Sequence, residues 1–206
     1  MIGPAEIFTI FFVTLGPLKT LGPFVHRTHD LDEGTVRRVA IWAFIIATAA
    51  AVVGSLIGRS ILDKWHVSIG AMLVAAGIIF FLVALQQLLE QYDPAAHTTA
   101  SAPLPPSPSA AAIRLLFPVV LTPYGIAAVI ILLAASRDTQ RIEIILGLLV
   151  VVMVLNLLAM LFARRILVGF MMVVLQVLGA VLGVLQAGLA VQFVLAGLQS
   201  LGVSRG

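Results

Sequence analysis

The sequence predicts an all-α membrane protein with six transmembrane helices, built as an inverted 3+3 repeat in which helices 1 and 4 are broken. The chain of 206 residues is 61% hydrophobic and only 10% charged, whereas a soluble domain is roughly 25% charged. Several uncharged stretches reach about 20 residues, which is enough to cross a hydrocarbon core of about 30 Å. Two of the hydrophobic stretches contain a proline, Pro17 in one and Pro123 in the other, 106 residues apart.

Six hydrophobic spans follow one another along the chain. They cover approximately 4–25, 38–58, 67–90, 113–135, 143–163 and 167–199. The sixth span, with about 33 residues, is longer than a single crossing and must tilt, kink or continue past the bilayer. A stretch rich in proline, serine and alanine between the third and fourth spans is typical of a flexible, partly extended linker. We therefore divide the chain into a first three-helix repeat (1–91), a linker (92–112) and a second, inverted three-helix repeat (113–206).

The two halves share several features at one offset. Arg59 ends the second span and Arg164–Arg165 end the fifth, while Gln86 and Gln192 lie 106 residues apart. Because each half has an odd number of spans, the second half must enter the membrane in the opposite orientation. This predicts an inverted repeat with a pseudo-two-fold axis in the membrane plane. Chance similarity between apolar helices is the alternative interpretation.

The charged residues, the lack of cysteine and the lack of catalytic motifs exclude several classes of function. The formal charge of +3 arises from few groups that flank the spans, so we predict no nucleic-acid partner. The chain has no cysteine, which excludes disulfides, thiol catalysis and thiolate metal sites. His26, His29 and Asp30 form a small cluster, but further ligands are missing and a solvated loop is favoured over a metal site. No nucleotide-binding, zincin or nucleophile-elbow motif is present. We therefore expect no enzyme activity, no cofactor and no metal.

Each proline break frees a backbone carbonyl one turn earlier in its helix. In lipid the freed groups need partners, so a broken helix must face protein or a watery cavity. Two breaks in matching positions of two halves indicate a transporter binding site near the middle of the bilayer. The residues predicted to break helices are Gly16, Pro17, Gly22, Pro23 and Pro123.

Lys19 lies inside the first span. A lysine within a membrane is costly and is by default a candidate functional residue, here for binding a carboxylate or another anion beside Pro17. The alternative is that its long side chain reaches the nearby interface. An end of the helix at Gly22–Pro23 favours that alternative.

The other candidates are neutral polar or small residues. Thr14, Thr20, Thr122 and Tyr124 flank the two breaks, where their hydroxyls could bind a solute or satisfy the freed carbonyls. Asn156 in the fifth span either faces the cavity or bonds to another helix, and the second interpretation is favoured, as it is for Gln86, Gln176, Gln186 and Gln192. The predicted solute site comprises Pro17, Lys19, Thr20, Thr122, Pro123, Tyr124, Gly125 and Asn156.

Small residues recur at helical spacing in two of the spans. They are Ala47, Ala51, Gly54 and Gly58 in the second span and Gly179 and Gly183 in the sixth. Such stripes let helix backbones approach closely. We interpret them as internal helix packing or as the face of a homo-oligomer.

Four parts of the sequence form a recognisable pattern: Gly58–Leu62, Ser68–Ile69 with Ala76–Leu85, Phe117–Pro118 and Ala190–Leu198. In these parts the chain resembles the MarC family of six-span membrane proteins, which is grouped with LysE-type transporters. The resemblance covers most of the chain outside the linker. It implies an inverted three-plus-three repeat and transport of small neutral amino acids such as glycine and alanine, as in some members.

The chain also departs from the family pattern at both breaks. An Asn/Asp-Pro-x-Gly-Asn element is usual in the family's first span, where this chain has Gly16-Pro17-Leu18-Lys19-Thr20. The usual Gly-Pro-Gly of the fourth span is replaced by Thr122-Pro123-Tyr124. Lys19 and Tyr124 would charge and fill a pocket that relatives keep small and neutral, so a larger or more acidic solute is an alternative.

Taken together, these features predict a multi-pass protein of the inner cell membrane with the lipid bilayer and a small-molecule solute as partners. It would move small solutes, most readily neutral amino acids or related metabolites, by alternating access. A channel-like pore and a non-transport membrane scaffold are the alternatives.

Overall fold

The computed structural model describes residues 3–90, 107–115, 120–136, 138–166 and 170–203. Within these ranges every regular element is helical and there is no strand. The helices are α1 (Pro4–Leu15), α2 (Pro17–Thr28), α3 (Glu33–Trp65), α4 (Ile69–Glu90), α5 (Pro108–Leu115), α6 (Pro123–Ala134), α7 (Thr139–Ile166) and α8 (Phe170–Ser200). The prediction of an all-α protein is confirmed.

Within the described ranges, four helical segments are long and apolar enough to cross a membrane. They are Pro4–Thr28, which comprises α1 and α2, and Glu33–Trp65, Thr139–Ile166 and Val177–Ser200. The described apolar parts of α4 and α6, Ile69–Leu85 and Gly125–Ala134, lie within the predicted third and fourth spans. The helices therefore match a multi-pass membrane protein, with four crossings supported by length and composition.

The two long helices α3 and α7 have apolar middles of equal length. Each has 20 consecutive uncharged residues, 39–58 in α3 and 144–163 in α7, or about 30 Å at 1.5 Å per residue. Trp42 lies near the start of the uncharged stretch of α3, and Trp65 is the last residue of the helix. They are 46% and 74% exposed, as expected for tryptophans at the two membrane interfaces.

The core is formed by helices that pack across the sequence. Helices α1 and α2 pack against α7, while α5 and α6 pack against α3. Small residues on one face of α3, each fully buried, allow these close approaches; they are Ala40, Ala43, Ala47 and Ala51. Large apolar side chains fill the space between the helices, among them Phe11, Phe24 and Met153.

Helices α4 and α8 touch through their backbones. A Cβ added to Gly77 would lie 2.7 Å from the carbonyl oxygen of Ala190, and one added to Gly197 would lie 2.6 Å from that of Gly70. The predicted stripes contribute unevenly to internal packing. Ala47, Ala51 and Gly183 are buried, and Gly58 packs closely against Ile130. Among the described residues, an added Cβ at Gly54 or Gly179 meets nothing within 4 Å. The internal-packing interpretation is confirmed for Ala47, Ala51 and Gly58 but not for Gly54 and Gly179, and an oligomer face remains a prediction.

The prediction that Gly22 and Pro23 break the first span is wrong. Helix α2 runs through both residues and ends at Thr28. A single proline removes one backbone donor, and neighbouring helices in a bundle can tolerate this loss. The predicted linker (92–112) contains the start of a helix. Helix α5 begins at Pro108, and its Ala111 and Ala112 are buried in the core.

A capping residue defines the start of α3. The carboxylate of Asp32 accepts a hydrogen bond from the backbone N–H of Thr35 at 2.9 Å. The hydrogen bonds from Thr35 lower the pKa of Asp32. The capping contribution is therefore complete at neutral pH and is lost only as the pH falls through that lowered value.

Arginines close the carboxyl ends of two short helices. Arg164, near the end of α7, donates through Nη2 to the carbonyl oxygens of Thr28 and Leu31, each at 2.6 Å. Arg59, in the last two turns of α3, donates through Nη2 to the carbonyl oxygen of Ser136 at 3.2 Å, just after α6. A cation at a helix carboxyl end also interacts favourably with the helix dipole.

Replacing Arg164 with glutamine is expected to lower the free energy of unfolding by about 1.5–3 kcal/mol, the range for hydrogen bonds to a charged group. Thermal unfolding in detergent measures this effect. The exposed neighbour Arg165 provides the matched control, Arg165→Gln, which should change stability little. Equal losses in the two variants would contradict the capping role of Arg164.

Candidate functional site

The first span is interrupted at Gly16. Helix α1 ends at Leu15 and α2 begins at Pro17, with Gly16 extended between them at φ −73° and ψ 166°. Only glycine fits here, because an added Cβ would lie 1.7 Å from the carbonyl oxygen of Phe12. The interruption and the missing N–H of Pro17 deprive the last carbonyls of α1 of helical donors.

Side chains from three other helices donate to these carbonyls. The donors are Thr122, which precedes α6, Asn156 of α7 and Gln186 of α8. The bonds run from Gln186 Nε2 to Val13 O (3.0 Å), from Thr122 Oγ1 to Thr14 O (2.9 Å) and from Asn156 Nδ2 to Leu15 O. We call these three side chains, the three carbonyls and Thr20 the break cluster.

Asn156 joins three helices at the break. Its Nδ2 donates to Leu15 O of α1 and, at 3.3 Å, to Val152 O of its own helix. Its Oδ1 accepts from Thr20 Oγ1 of α2 at 2.8 Å. Asn156 and Thr20 are each 1% exposed. The interpretation of Asn156 as an interhelix bonding residue is confirmed, and the Gln186–Val13 bond confirms it for Gln186.

Thr122 connects the break before α6 to the break between α1 and α2. Its hydroxyl caps α6 by accepting from the N–H of Gly125 at 3.2 Å, and it donates to Thr14 O. The carboxyl end of α1 and the amino end of α6 thus meet at one side chain. Gly125 permits the approach, because a Cβ there would lie 2.3 Å from Cδ2 of Leu15. The hydroxyl of Thr14 bonds within its helix to Ile10 O at 2.7 Å.

The break cluster lies near mid-depth of the helices that carry it. Asn156 is the thirteenth of the 20 uncharged residues of α7 (144–163), about 4 Å from their centre at 1.5 Å per residue. Gln186 is the seventeenth of the 31 residues of α8. Two independent helices therefore place the cluster close to the middle of their apolar lengths.

The predicted site residues divide into three groups. Thr20, Thr122, Gly125 and Asn156 are buried together at the break. Pro17 and Pro123 are the first residues of α2 and α6 and are half-buried and exposed, respectively. The side chains of Lys19 and Tyr124 lie outside the described residues, although their backbones belong to α2 and α6.

The sequence prediction of the site did not include Gln186 or the carbonyls of Val13, Thr14 and Leu15. The repeat gave no signal for Gln186, because its counterpart 106 residues earlier is Phe80. The one available signal was a glutamine at the middle of an apolar span, where a polar side chain needs a partner.

The side chains of the break cluster are neutral amides and hydroxyls. They offer hydrogen bonds together with the partial negative charge of the α1 carboxyl end and the partial positive charge of the α6 amino end. Such a site suits reversible binding of a small polar solute or ion. No group of three or more histidine and carboxylate side chains that could hold a metal ion occurs in the described part of the chain.

Comparison with known proteins agrees with this architecture. The family model described as MarC family integral membrane protein matches residues 5–201. Searches of curated proteins and of solved structures gave no match. The family match spans nearly the whole chain, including both breaks and every helix that contributes to the cluster. The chain therefore belongs to the MarC family of integral membrane proteins.

Proposed function

We propose that this protein is a secondary transporter of small solutes, most readily neutral amino acids or related small metabolites, rather than an enzyme. The proposal extends to its place in the inner cell membrane and to an alternating-access mechanism. One observation carries it: the ends of two interrupted helices meet at mid-depth of the apolar spans, joined by Thr122. Interrupted helices at this depth are the usual construction of solute and ion sites in secondary transporters.

We also propose that the six spans form an inverted repeat. The order of helices supports it, since an interrupted helix, a long helix and a third helix occur in each half. The cross-packing supports it too, because α1 and α2 lie on α7 while α5 and α6 lie on α3. Arg164 and Arg59 cap the interrupted helix of the opposite half in the same way.

Every bond that closes the break cluster across helices joins the two proposed halves. The carbonyls and Thr20 belong to the first half, whereas Thr122, Asn156 and Gln186 belong to the second. Each such hydrogen bond is worth about 0.5–1.5 kcal/mol net. Separating the halves at this point would therefore cost a few kcal/mol, a size that solute binding can offset. The bonds would close the transporter in this state and break when one half rocks against the other.

In this proposal the solute binds beside the break cluster. Lys19, in the first turn of α2, would meet a carboxylate, and Tyr124 would limit the size of the solute. Thr122 and Thr20 would exchange their protein partners for the solute as the cluster opens. An amino acid suits such a site because helix ends of opposite polarity converge there.

A non-transport scaffold is the second candidate. It is favoured by the side-chain donor that each of the carbonyls of Val13, Thr14 and Leu15 already has, which would lock the interrupted helix in one arrangement. The two candidates differ in flux. A transporter gives saturable solute movement, while a scaffold gives none and a channel-like pore gives conductance that does not saturate at low solute.

Uptake of radiolabelled glycine, alanine and larger or acidic amino acids into proteoliposomes tests the proposal. We expect saturable uptake by the wild type and at least a tenfold loss in the Lys19→Ala/Thr122→Val double variant. The matched control is Thr9→Val, because Thr9 is an exposed residue of α1 whose hydroxyl bonds only to Ala5 O at 2.8 Å among the described residues. Unchanged uptake in the folded double variant would remove this site assignment.

A further inference from the structure

We propose that the carboxyl end of α1, together with Oε1 of Gln186, binds one small monovalent cation, either a free alkali ion or the ammonium group of a solute. The proposal that a cation binds is supported by the geometry of the break cluster alone. Its use to drive transport rests on the function proposed above.

The orientation of the Gln186 amide is fixed by its bond. Nε2 donates to the carbonyl oxygen of Val13 at 3.0 Å, and only the NH₂ group of an amide can donate to a carbonyl. The other atom, Oε1, is therefore an acceptor. The residue is fully buried, and Oε1 has no hydrogen-bond partner within the described ranges. A buried acceptor without a partner is costly and calls for a ligand or a function.

Oε1 lies beside the carboxyl end of α1. It belongs to the same amide group that contacts Val13 O, and this helix end carries a partial negative charge. Each of the last three carbonyls of α1 has two lone pairs, and each accepts one side-chain hydrogen bond. The side-chain donors Nδ2 of Asn156 and Nε2 of Gln186 already point at these carbonyls. A positive charge would interact favourably with the carbonyl oxygens, with Oε1 and with the negative end of the helix.

The chemistry of the ligands limits the cation. Divalent ions such as Ca²⁺ and Mg²⁺ favour sites with carboxylates, and the oxygens here belong to neutral amides and carbonyls. In secondary transporters, unwound carbonyls and helix carboxyl ends coordinate Na⁺. Apolar residues enclose the same region, since Val13, Phe80 and Ala190 form one buried cluster with Phe193 against it. A cation within these walls would be held with little competition from water.

The site occurs once in the proposed repeat. The counterparts of Gln186 and Asn156, 106 residues earlier, are Phe80 and Ala50, which offer no side-chain oxygen. The proposed halves are therefore different at this point, although the prolines of both breaks match. We expect one cation per chain.

Thermal unfolding of the purified full chain in detergent tests the proposal. Choline chloride is replaced stepwise by NaCl, KCl, ammonium chloride or methylammonium chloride at constant ionic strength. We expect a saturable rise in the unfolding temperature with at least one of these cations and its loss in Gln186→Leu. Binding of ²²Na⁺ at equilibrium should give one ion per chain when the alkali ion is the ligand. A rise with ammonium and methylammonium but not with Na⁺ or K⁺ assigns the site to the ammonium group of a solute.

Two further variants keep the test decisive. Gln192 is an exposed residue of the same helix, and Gln192→Leu should keep the full response to the cation. Gln186→Glu retains an oxygen and adds a charge, so it should bind the cation at least tenfold more tightly once the carboxyl group is ionised. The proposal is overturned if none of the cations raises the unfolding temperature of the wild type above its value in choline. It is also overturned if such a rise survives in Gln186→Leu. If Gln186→Leu does not fold, Gln186→Glu takes its place. A folded Gln186→Glu variant that shows no response to any of the cations would also overturn the proposal.

The failure of this inference can be told apart from that of the proposed function. Saturable amino-acid uptake in choline, with no cation response, would remove the cation site and leave the transporter. A cation response without flux of any solute would leave the site in a protein with another function.

Discussion

Gly16→Ala is expected to lower the free energy of unfolding by about 3 kcal/mol or more, at the upper end of the cost of overpacking. The added Cβ would lie 1.7 Å from the carbonyl oxygen of Phe12. This oxygen belongs to the backbone, so it can retreat only if the last turn of α1 unwinds. Unwinding would also displace the carbonyls of Val13, Thr14 and Leu15 from their donors. Thermal and chemical unfolding of the purified variant in detergent measure the loss.

Gly22→Ala is the matched control for Gly16→Ala. Gly22 is an exposed glycine in α2, and among the described residues an added Cβ there meets nothing within 4 Å. Alanine is a better helix former than glycine by about 1 kcal/mol, so Gly22→Ala should be neutral or stabilising. A Gly16→Ala variant as stable as Gly22→Ala would show that the geometry of the break is wrong.

Asn156→Leu is expected to destabilise the protein by about 2–4 kcal/mol, because it leaves two buried polar groups without their partner. Leu15 O loses a donor, and Thr20 Oγ1 loses its acceptor. Bonds between transmembrane helices are often worth less than this. The cost is higher here because Leu15 O lies at a helix end and has no helical donor to return to.

A double-mutant cycle separates the two losses at Asn156. Thr20→Val removes only the bond to Asn156 Oδ1 and should cost less than Asn156→Leu. If the pair acts as one unit, the double variant should be little less stable than Asn156→Leu alone. Strict additivity of the two changes, measured by the same unfolding assay, would contradict a direct Thr20–Asn156 contact.

The sequence predicts the breaks because they are local. Proline and glycine act on the residues next to them, so the interruption at Gly16–Pro17 and the start of α6 at Pro123 follow from the residues themselves. The same local signal was wrong at Gly22–Pro23, where α2 continues. The end of α2 depends on a distant residue, Arg164, which donates to Thr28 O from 136 positions away.

The partners of the break could not be predicted because they are distant in sequence. Asn156 lies 141 residues from Leu15, and Gln186 lies 173 residues from Val13. A polar residue in an apolar span shows only that some partner exists. Which carbonyl it bonds depends on the depth and rotation of two helices, and these are set by packing. The repeat does not help, since Phe80 and Ala50 occupy the corresponding positions.

The backbone contact between α4 and α8 restricts how the protein can move. These helices belong to different proposed halves, and no layer of side chains separates them where Gly77 faces Ala190 and Gly197 faces Gly70. Sliding one helix along the other would drive Val74 or Val194, which already crowd these glycines, into a backbone. Rolling about the line of contact requires no such collision. In the proposed alternating-access cycle, the contact between α4 and α8 would serve as the axis of rotation. Distances between α4 and α8 would then stay constant while those across the break cluster change.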